Sequence, residues 1–352
     1  MLNDLNQYQN TPQFRHQFSH DFDEQATFLN GWNQDYAQIS AGCFEGFISE
    51  AHFSGVSLFW EYTNQALYQQ GLLNIDTIAI GVPLRLGCNG LDITSSSVSS
   101  ETNAGINKLA HKKSSEHGLF CGTVCKQNTI HIFSGTGGFE FISPNQLMIG
   151  LIVVSRAQLL KLLTAEDQHL LNAQCQQARV MQIPSKIYQH LIAFLNTSFG
   201  LLKSQPQLMQ HAYFNQNMAN QATELVIESL LAKQINLPAT TPHKSWQVFC
   251  NTRDIVNVRQ DNPLSIAELC TSLNISRRSL QYHFEQTLHT SPAAYLRTER
   301  LNGVRHLLKT ANSVTEAATH WGFWHFGHFS QEYKKMFGEL PSATFKRLRQ
   351  MN

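Results

Sequence analysis

Two groups of side chains in the last third of the chain are of the types that hold nucleic acid. The first is Ser276, Arg277, Arg278, Gln281 and Tyr282; the second is His325, Phe326, Gln331, Lys334 and Lys335. Arg and Gln present paired donors that fit guanine and adenine edges in the major groove, whereas Lys acts as a point charge for phosphate. Arg277 and Arg278 stand where a helix would begin, and there they oppose its dipole at a cost of a few tenths to about 1 kcal/mol each. A phosphate or a guanine offsets that cost; an ordinary solvated basic pair does not. Lys334, Lys335, Lys346 and Arg347 are expected to supply phosphate contacts that carry no sequence information.

The elements that must position these groups are written twice. Ile266, Leu269, Leu273, Ile275, Leu280 and Phe284 make the apolar faces of two short helices joined by a tight turn, a helix-turn-helix over 266–284. Asn274 suits the left-handed residue after the first helix, and Ser276 can cap the second. The second copy spans 314–337, with Ala317 and Ala318 allowing close helix approach and Gly322 ending its first helix. Phe323, Phe329, Tyr333 and Phe337 have core spacing, so Trp324 and Phe326 cannot also all face inward. Ala293 to Lys309, with Leu296, Leu301, Val304, Leu307 and Leu308 at helical spacing, forms a rod between the copies. Two readers on one rod would address successive major-groove turns.

The run Ala317-Ala318, Trp321-Gly322-Phe323, Phe329-Ser330, Tyr333-Lys334, Phe337-Gly338 and Pro341 resembles the signature of AraC/XylS-type transcriptional regulators. Through Ile275 to Gln281 and Trp321 to Phe326 it is similar to the ethanolamine-utilisation operon regulator branch. Residues Trp32, Tyr36, Gly42, Phe44, Gly46, Glu61-Tyr62-Thr63 and Gly81-Val82-Pro83 carry that likeness into the N-terminal half. Leu340 departs from the family's Ser or Thr before Pro341. His325 and Gly327 stand at the cap and early position of the second reading helix, which turns that reader towards the backbone. The resemblance implies an activator working with promoter DNA and RNA polymerase, with ethanolamine as effector, alone or together with adenosylcobalamin, and no other cofactor.

At 352 residues and 42% apolar content the chain has room for two or three globular domains. Its longest apolar run, Leu147 to Val154, is too short to cross a bilayer, and its first residues lack a signal-peptide plan, so a cytoplasmic protein is expected. Seven scattered cysteines never fall as CxxC, against a disulfide framework or zinc site. From His243 onward 14 Lys and Arg face 8 Asp and Glu, a balance of +6, while the preceding part carries −5. A basic back behind an acidic front is expected if only the back meets phosphate.

The expected fold class is α+β: an N-terminal cupin-like β-barrel sensor with a helical dimerisation segment, then an all-α domain with two helix-turn-helix motifs. Residues 1–30 read as a loosely attached arm and 31–154 as the barrel. Its strands are expected at Phe44 to Glu50, Val56 to Tyr62, Thr77 to Leu84, Leu91 to Ile93, Gly118 to Val124, Thr129 to Phe133, Gly138 to Ile142 and Leu147 to Val154. Residues 155–235 read as helical, 236–244 as a Pro-bearing linker and 245–352 as the DNA-binding domain. Two apolar stripes on the helix from Asn220, one through Leu225 and Val226 and one through Ile227, Leu231 and Ile235, suit packing on the barrel and on a second copy, hence a homodimer. Candidate effector contacts are Trp60, Tyr62, Arg85, Phe133 and Phe141, with Glu61 and Glu140 as polar companions. His111, His117 and His131 lack the His-x-His pair of metal-dependent cupins and read as surface or loop residues. No metal and no catalytic residue is expected. A cupin-type enzyme fused to a DNA-binding domain and a ligand-independent repressor stay open as alternatives.

Overall fold

The computed structural model describes residues 13–85, 118–126, 128–133, 137–232, 244–259 and 264–350. The N-terminal part contains β1 (Gln13–Ser19), α1 (Phe22–Ala26), β2 (Trp32–Gln38), β3 (Gly46–Phe53), β4 (Val56–Thr63), β5 (Leu67–Leu73) and β6 (Thr77–Arg85). It continues with β7 (Leu119–Phe120), β8 (Thr123–Val124), β9 (Thr129–Phe133), β10 (Phe139–Ile142), β11 (Leu147–Ser155), α2 (Arg156–Leu162), α3 (Ala165–Gln174), β12 (Arg179–Gln182), α4 (Ser185–Ser204) and α5 (Ala212–Leu231). The C-terminal part is helical: α6 (Lys244–Val258), α7 (Ile266–Leu273), α8 (Arg277–Leu288), α9 (Pro292–Leu307), α10 (Val314–His320), α11 (Phe326–Phe337) and α12 (Pro341–Gln350).

The strands form two antiparallel sheets, ordered β1-β3-β4-β11-β6-β9-β12 and β2-β5-β10-β7-β8. Among the described residues no strand bonds to both sheets, so in place of the expected cupin-like β-barrel there is an open sandwich. Phe59, Phe120, Phe133, Phe139 and Phe141 fill the space between the sheets, and a layer of rings that thick holds two sheets face to face rather than letting one curl shut. On the far side of the larger sheet lie α4 and α5, packed over Leu58, Trp60, Ile80, Val82, Ile152 and Val154. Strand period decides which residue faces which layer: β4 turns Phe59 and Glu61 inward and Leu58, Trp60 and Tyr62 towards the helices.

The expected loose arm is in part a fixed element. β1 pairs with β3 from Gln13 opposite His52 to Ser19 opposite Gly46, and α1 buries Phe22 to 2% exposure. Asp21 caps α1, accepting from Asp23 and Glu24 N–H, and the apolar α1 face seats on the sandwich. The Leu91 to Ile93 strand, Ile235 and nearly all of the 236–244 linker lie outside the described residues. Of the second stripe on α5, Ile227 packs against the protomer's own core. Among the described residues no helix is long and apolar enough to cross a membrane.

Candidate nucleic-acid interface and its docking to the sandwich

Local signals build both readers. Ser265 and Glu268 close a capping box at the start of α7, and Asn274 ends it in the left-handed conformation at φ 50°. Ser276 caps α8, its hydroxyl accepting from Ser279 N–H at 3.1 Å. Leu269, Leu280 and Phe284 are fully buried with Phe249 of α6, which leaves Arg277, Arg278, Gln281 and Tyr282 exposed on the opposite face of α8. In the second unit Ser313 caps α10, and Gly322 takes φ 75° at the turn. Phe329 and Tyr333 are buried, while His325, Phe326, Gln331, Lys334 and Lys335 are exposed. Trp324 is 70% exposed just ahead of α11, a large ring held in water where a base or thymine methyl could cover it. A groove of about 490 Å³ runs between the two readers, bordered by Ile266, Arg297, Arg300, Trp324 and His328.

The face away from these residues is fastened to the sandwich at two places. At the first, Arg253 of α6 pairs with Glu140 of β10 at 2.7 Å and donates to the Tyr68 hydroxyl, while Phe249 packs edge-on against Tyr68. At the second, Arg305 of α9 and Arg347 of α12 each donate to Asp21 Oδ2 at 2.7 Å. Both guanidinium groups also reach Glu339 Oε1, at 3.3 and 2.8 Å. The Arg305 guanidinium lies 4.9 Å from the Phe22 ring centroid and 5.0 Å from that of Phe337. Burial alone would raise the Asp21 carboxyl, but Arg305 and Arg347 outweigh it and hold it below the usual carboxylate range. Backbone bonds complete this contact: Gly42 N–H donates to Met336 O at 2.9 Å, and Asn302 exchanges bonds with Gln38 O and N–H at 2.9 and 3.1 Å. Gly338, at φ 80°, passes so close to Cys43 that a Cβ there would clash with its sulfur.

Arg347 was expected to meet phosphate; it is instead engaged by Asp21 and Glu339, because α12 places it over the α1 cap. Lys346 is exposed. Of the candidate effector contacts, Phe133 and Phe141 line the space between the sheets. Trp60 does not: its indole N–H donates to Leu195 O of α4 at 3.1 Å. Tyr62 stacks with Phe47 on the same helical side. Both point away from the sandwich interior because they fall on the even positions of β4. Arg85 ends β6 opposite Met148. Glu61 is interior, and Glu140 faces the DNA-binding domain. His131 is not a surface residue: it is fully buried on β9, stacked on Phe120 at 4.5 Å, with burial lowering its pKa to about 3. His111 and His117 lie outside the described residues. Sequence reasoning missed Asp21, Arg253 and Arg305; a buried Arg and an Asp at a helix cap leave no periodic trace, and their partners are distant in the chain.

Two helix-turn-helix units on a shared rod, each offering a polar and basic helix face, define a two-headed DNA-binding domain. Residues 269–347 match the family described as a helix-turn-helix domain. The probable thc operon regulatory protein of Rhodococcus erythropolis is 38% identical over 97 residues, 26% of this chain and 29% of its own. The XylDLEGF operon transcriptional activator 3 of Pseudomonas putida is 38% identical over 100 residues, 26% of this chain and 30% of its own. The chain thus matches under a third of the length of these curated relatives. The crystal structure of the AraC-like transcriptional activator CuxR aligns over 82% of this chain and 94% of its own, at 11% identity and a TM-score of 0.41. The C-terminal part of this chain carries the helix-turn-helix domain of AraC/XylS-family transcriptional regulators.

Proposed function

We propose that the protein is a cytoplasmic, sequence-specific transcription regulator, an activator rather than an enzyme, whose sandwich responds to a small effector and controls the DNA-binding domain. The observation that carries this is the pairing of two exposed reading faces with a domain otherwise fastened to the sandwich through Arg253 and Arg305. Promoter DNA is then the partner of 245–352, and RNA polymerase the partner of the bound complex. Two protomers joined through α4 and α5 would engage repeated half-sites. Effector binding shifts the population in which both readers can span their site, by changing how the sandwich holds them. The names of the curated relatives point to operons other than ethanolamine use, so ethanolamine and adenosylcobalamin enter as members of a test panel.

The test is fluorescence anisotropy of the full-length protein on DNA upstream of its own gene, at fixed salt, with and without that panel. Arg277→Ala is expected to cost about 1–3 kcal/mol of specific affinity and relax sequence preference, whereas Lys334→Ala weakens all DNA about equally and lowers the salt slope by about 1. Equal behaviour of the two variants would overturn the division between base reading and phosphate contact. Absence of specific binding by the full chain would overturn the regulator itself.

A further inference from the structure

Inside the aromatic layer between the sheets, which also holds His131, lies a polar cavity. It has a volume of about 20 Å³ and is lined by Trp32 and Gln34 of β2, Gln69 of β5 and Glu61 of β4, together with Phe133, Phe139 and Phe141. Three N–H groups on this lining have no partner among the described residues: Trp32 Nε1, Gln34 Nε2 and Gln69 Nε2. Gln69 is only 3% exposed, so its amide cannot turn to water for compensation. Buried donors are ordinarily paired, and a cluster of three left open on one cavity among the described residues calls for an acceptor. Glu61 does not serve them. Its Oε1 already accepts from the Tyr36 hydroxyl at 2.8 Å and from Gln25 Nε2 at 3.1 Å.

We propose that this cavity is the effector site, and that its ligand is a small molecule with an apolar body and a carboxylate or hydroxyl head whose oxygens accept from Trp32, Gln34 and Gln69. The inference rests on the regulator reading and names the chemistry of its effector. An ammonium head could meet the Glu61 carboxylate but has no acceptor, and would leave these three donors unpaired. Space of about 20 Å³ is roughly that of one water, so the polar head alone fits and the rings part to admit the body. Trp32 and Gln34 are half-buried and mark the way in. Trp32 meets Phe133 and Phe139 edge-on at 5.0 and 5.9 Å, so a body entering there is met by ring faces and edges. The site also has a physical route to the DNA-binding domain. Gln25, which donates to Glu61 and to Tyr62 O at 3.1 Å, belongs to α1, and α1 carries the Asp21 and Phe22 that hold Arg305.

The experiment follows the melting temperature of the full-length protein against butyrate, 1-butanol and butylammonium, with specific DNA binding measured on the same preparations. Butyrate or 1-butanol is expected to raise the melting temperature in a concentration-dependent way, the two arms telling carboxylate from hydroxyl, while butylammonium does not. Gln69→Leu is expected to weaken that response about tenfold or more and to melt higher than the parent without ligand, because an unpaired buried amide is gone. Gln34→Leu gives the same readout if the first variant fails to fold. The proposal is overturned if butylammonium stabilises as well as the other probes, if no probe shifts the melting temperature, or if the leucine variants respond like the parent. Specific DNA binding with no response to the acceptor-headed probes removes this ligand class alone; loss of specific DNA binding removes the regulator reading beneath it.

Discussion

Arg305→Ala is expected to lower the free energy of unfolding by about 3–5 kcal/mol, the range for removing one member of a buried ion pair and leaving the other uncompensated. The Arg305 side chain is 4% exposed and that of Asp21 6%, so water replaces little of what is lost. Arg347 still reaches Asp21, but it is the more exposed of the two arginines and lies outside the Phe22–Phe337 pair. Arg305→Lys keeps the charge and loses the fork that bonds Asp21 and Glu339 together, so an intermediate loss is expected. Urea unfolding of the three proteins gives the comparison; a loss under about 1 kcal/mol for the alanine variant would show the cluster to be structurally idle. Acid should weaken the same contact. The folded-state pKa of Asp21 is depressed, so its contribution is present above the ordinary carboxylate pKa and is lost as pH falls through the lower folded value. Burial pushes Asp23 the other way, against the pull of Lys309, and partly offsets that dependence.

The second large effect has the opposite sign with pH. Burial pushes the Glu299 carboxyl of α9 up to about 7, opposed by the Tyr295 hydroxyl that bonds to it and by the charge of Arg253. A carboxyl whose folded pKa is raised is held protonated by the fold, so its stabilising contribution is complete below its unfolded pKa and is lost as pH rises through about 7. At about 1.4 kcal/mol per pH unit, stability should fall by about 3 kcal/mol between pH 5 and 8 from this group. Glu299→Gln removes the slope and makes the protein more stable than its parent at pH 8. Thermal or urea unfolding across that range decides it: parallel pH profiles for parent and variant would place the titration elsewhere. Glu299 stands in α9 beside Tyr295 and within the field of Arg253, where the first reader meets the sandwich.

These two contacts also recast the charge asymmetry of the chain. The excess of Lys and Arg after His243 and of acids before it was expected to mark a phosphate-binding back. Part of it is spent within the chain: Arg253 on Glu140, Arg305 and Arg347 on Asp21, and Lys309 on Asp23 at 3.4 Å. Arg277, Arg278, Lys334 and Lys335 remain exposed. Net charge counts both kinds alike, because it carries no information about which carboxylate a guanidinium will meet.

The helix-turn-helix units were legible in the sequence by themselves. Their apolar positions recur at helical spacing, and their ends are fixed by short-range chemistry at Asn274, Ser276 and Gly322, so each unit's fold is decided within a few residues. Long strands such as β3, β4, β6 and β11 were legible for the same reason, as β-branched and aromatic runs. Strands β2 and β5 were not, since Asn33, Gln34, Gln69, Gln70 and Gly71 dilute the pattern; their inward polar residues belong to the cavity. Whether the strands closed into a barrel, which face of β4 met the helices and which arginines met Asp21 were decided only in the tertiary structure. Each depends on residues far apart in sequence being brought together, and the energy of a buried contact such as Arg305 with Asp21 exists only once both partners have lost their water.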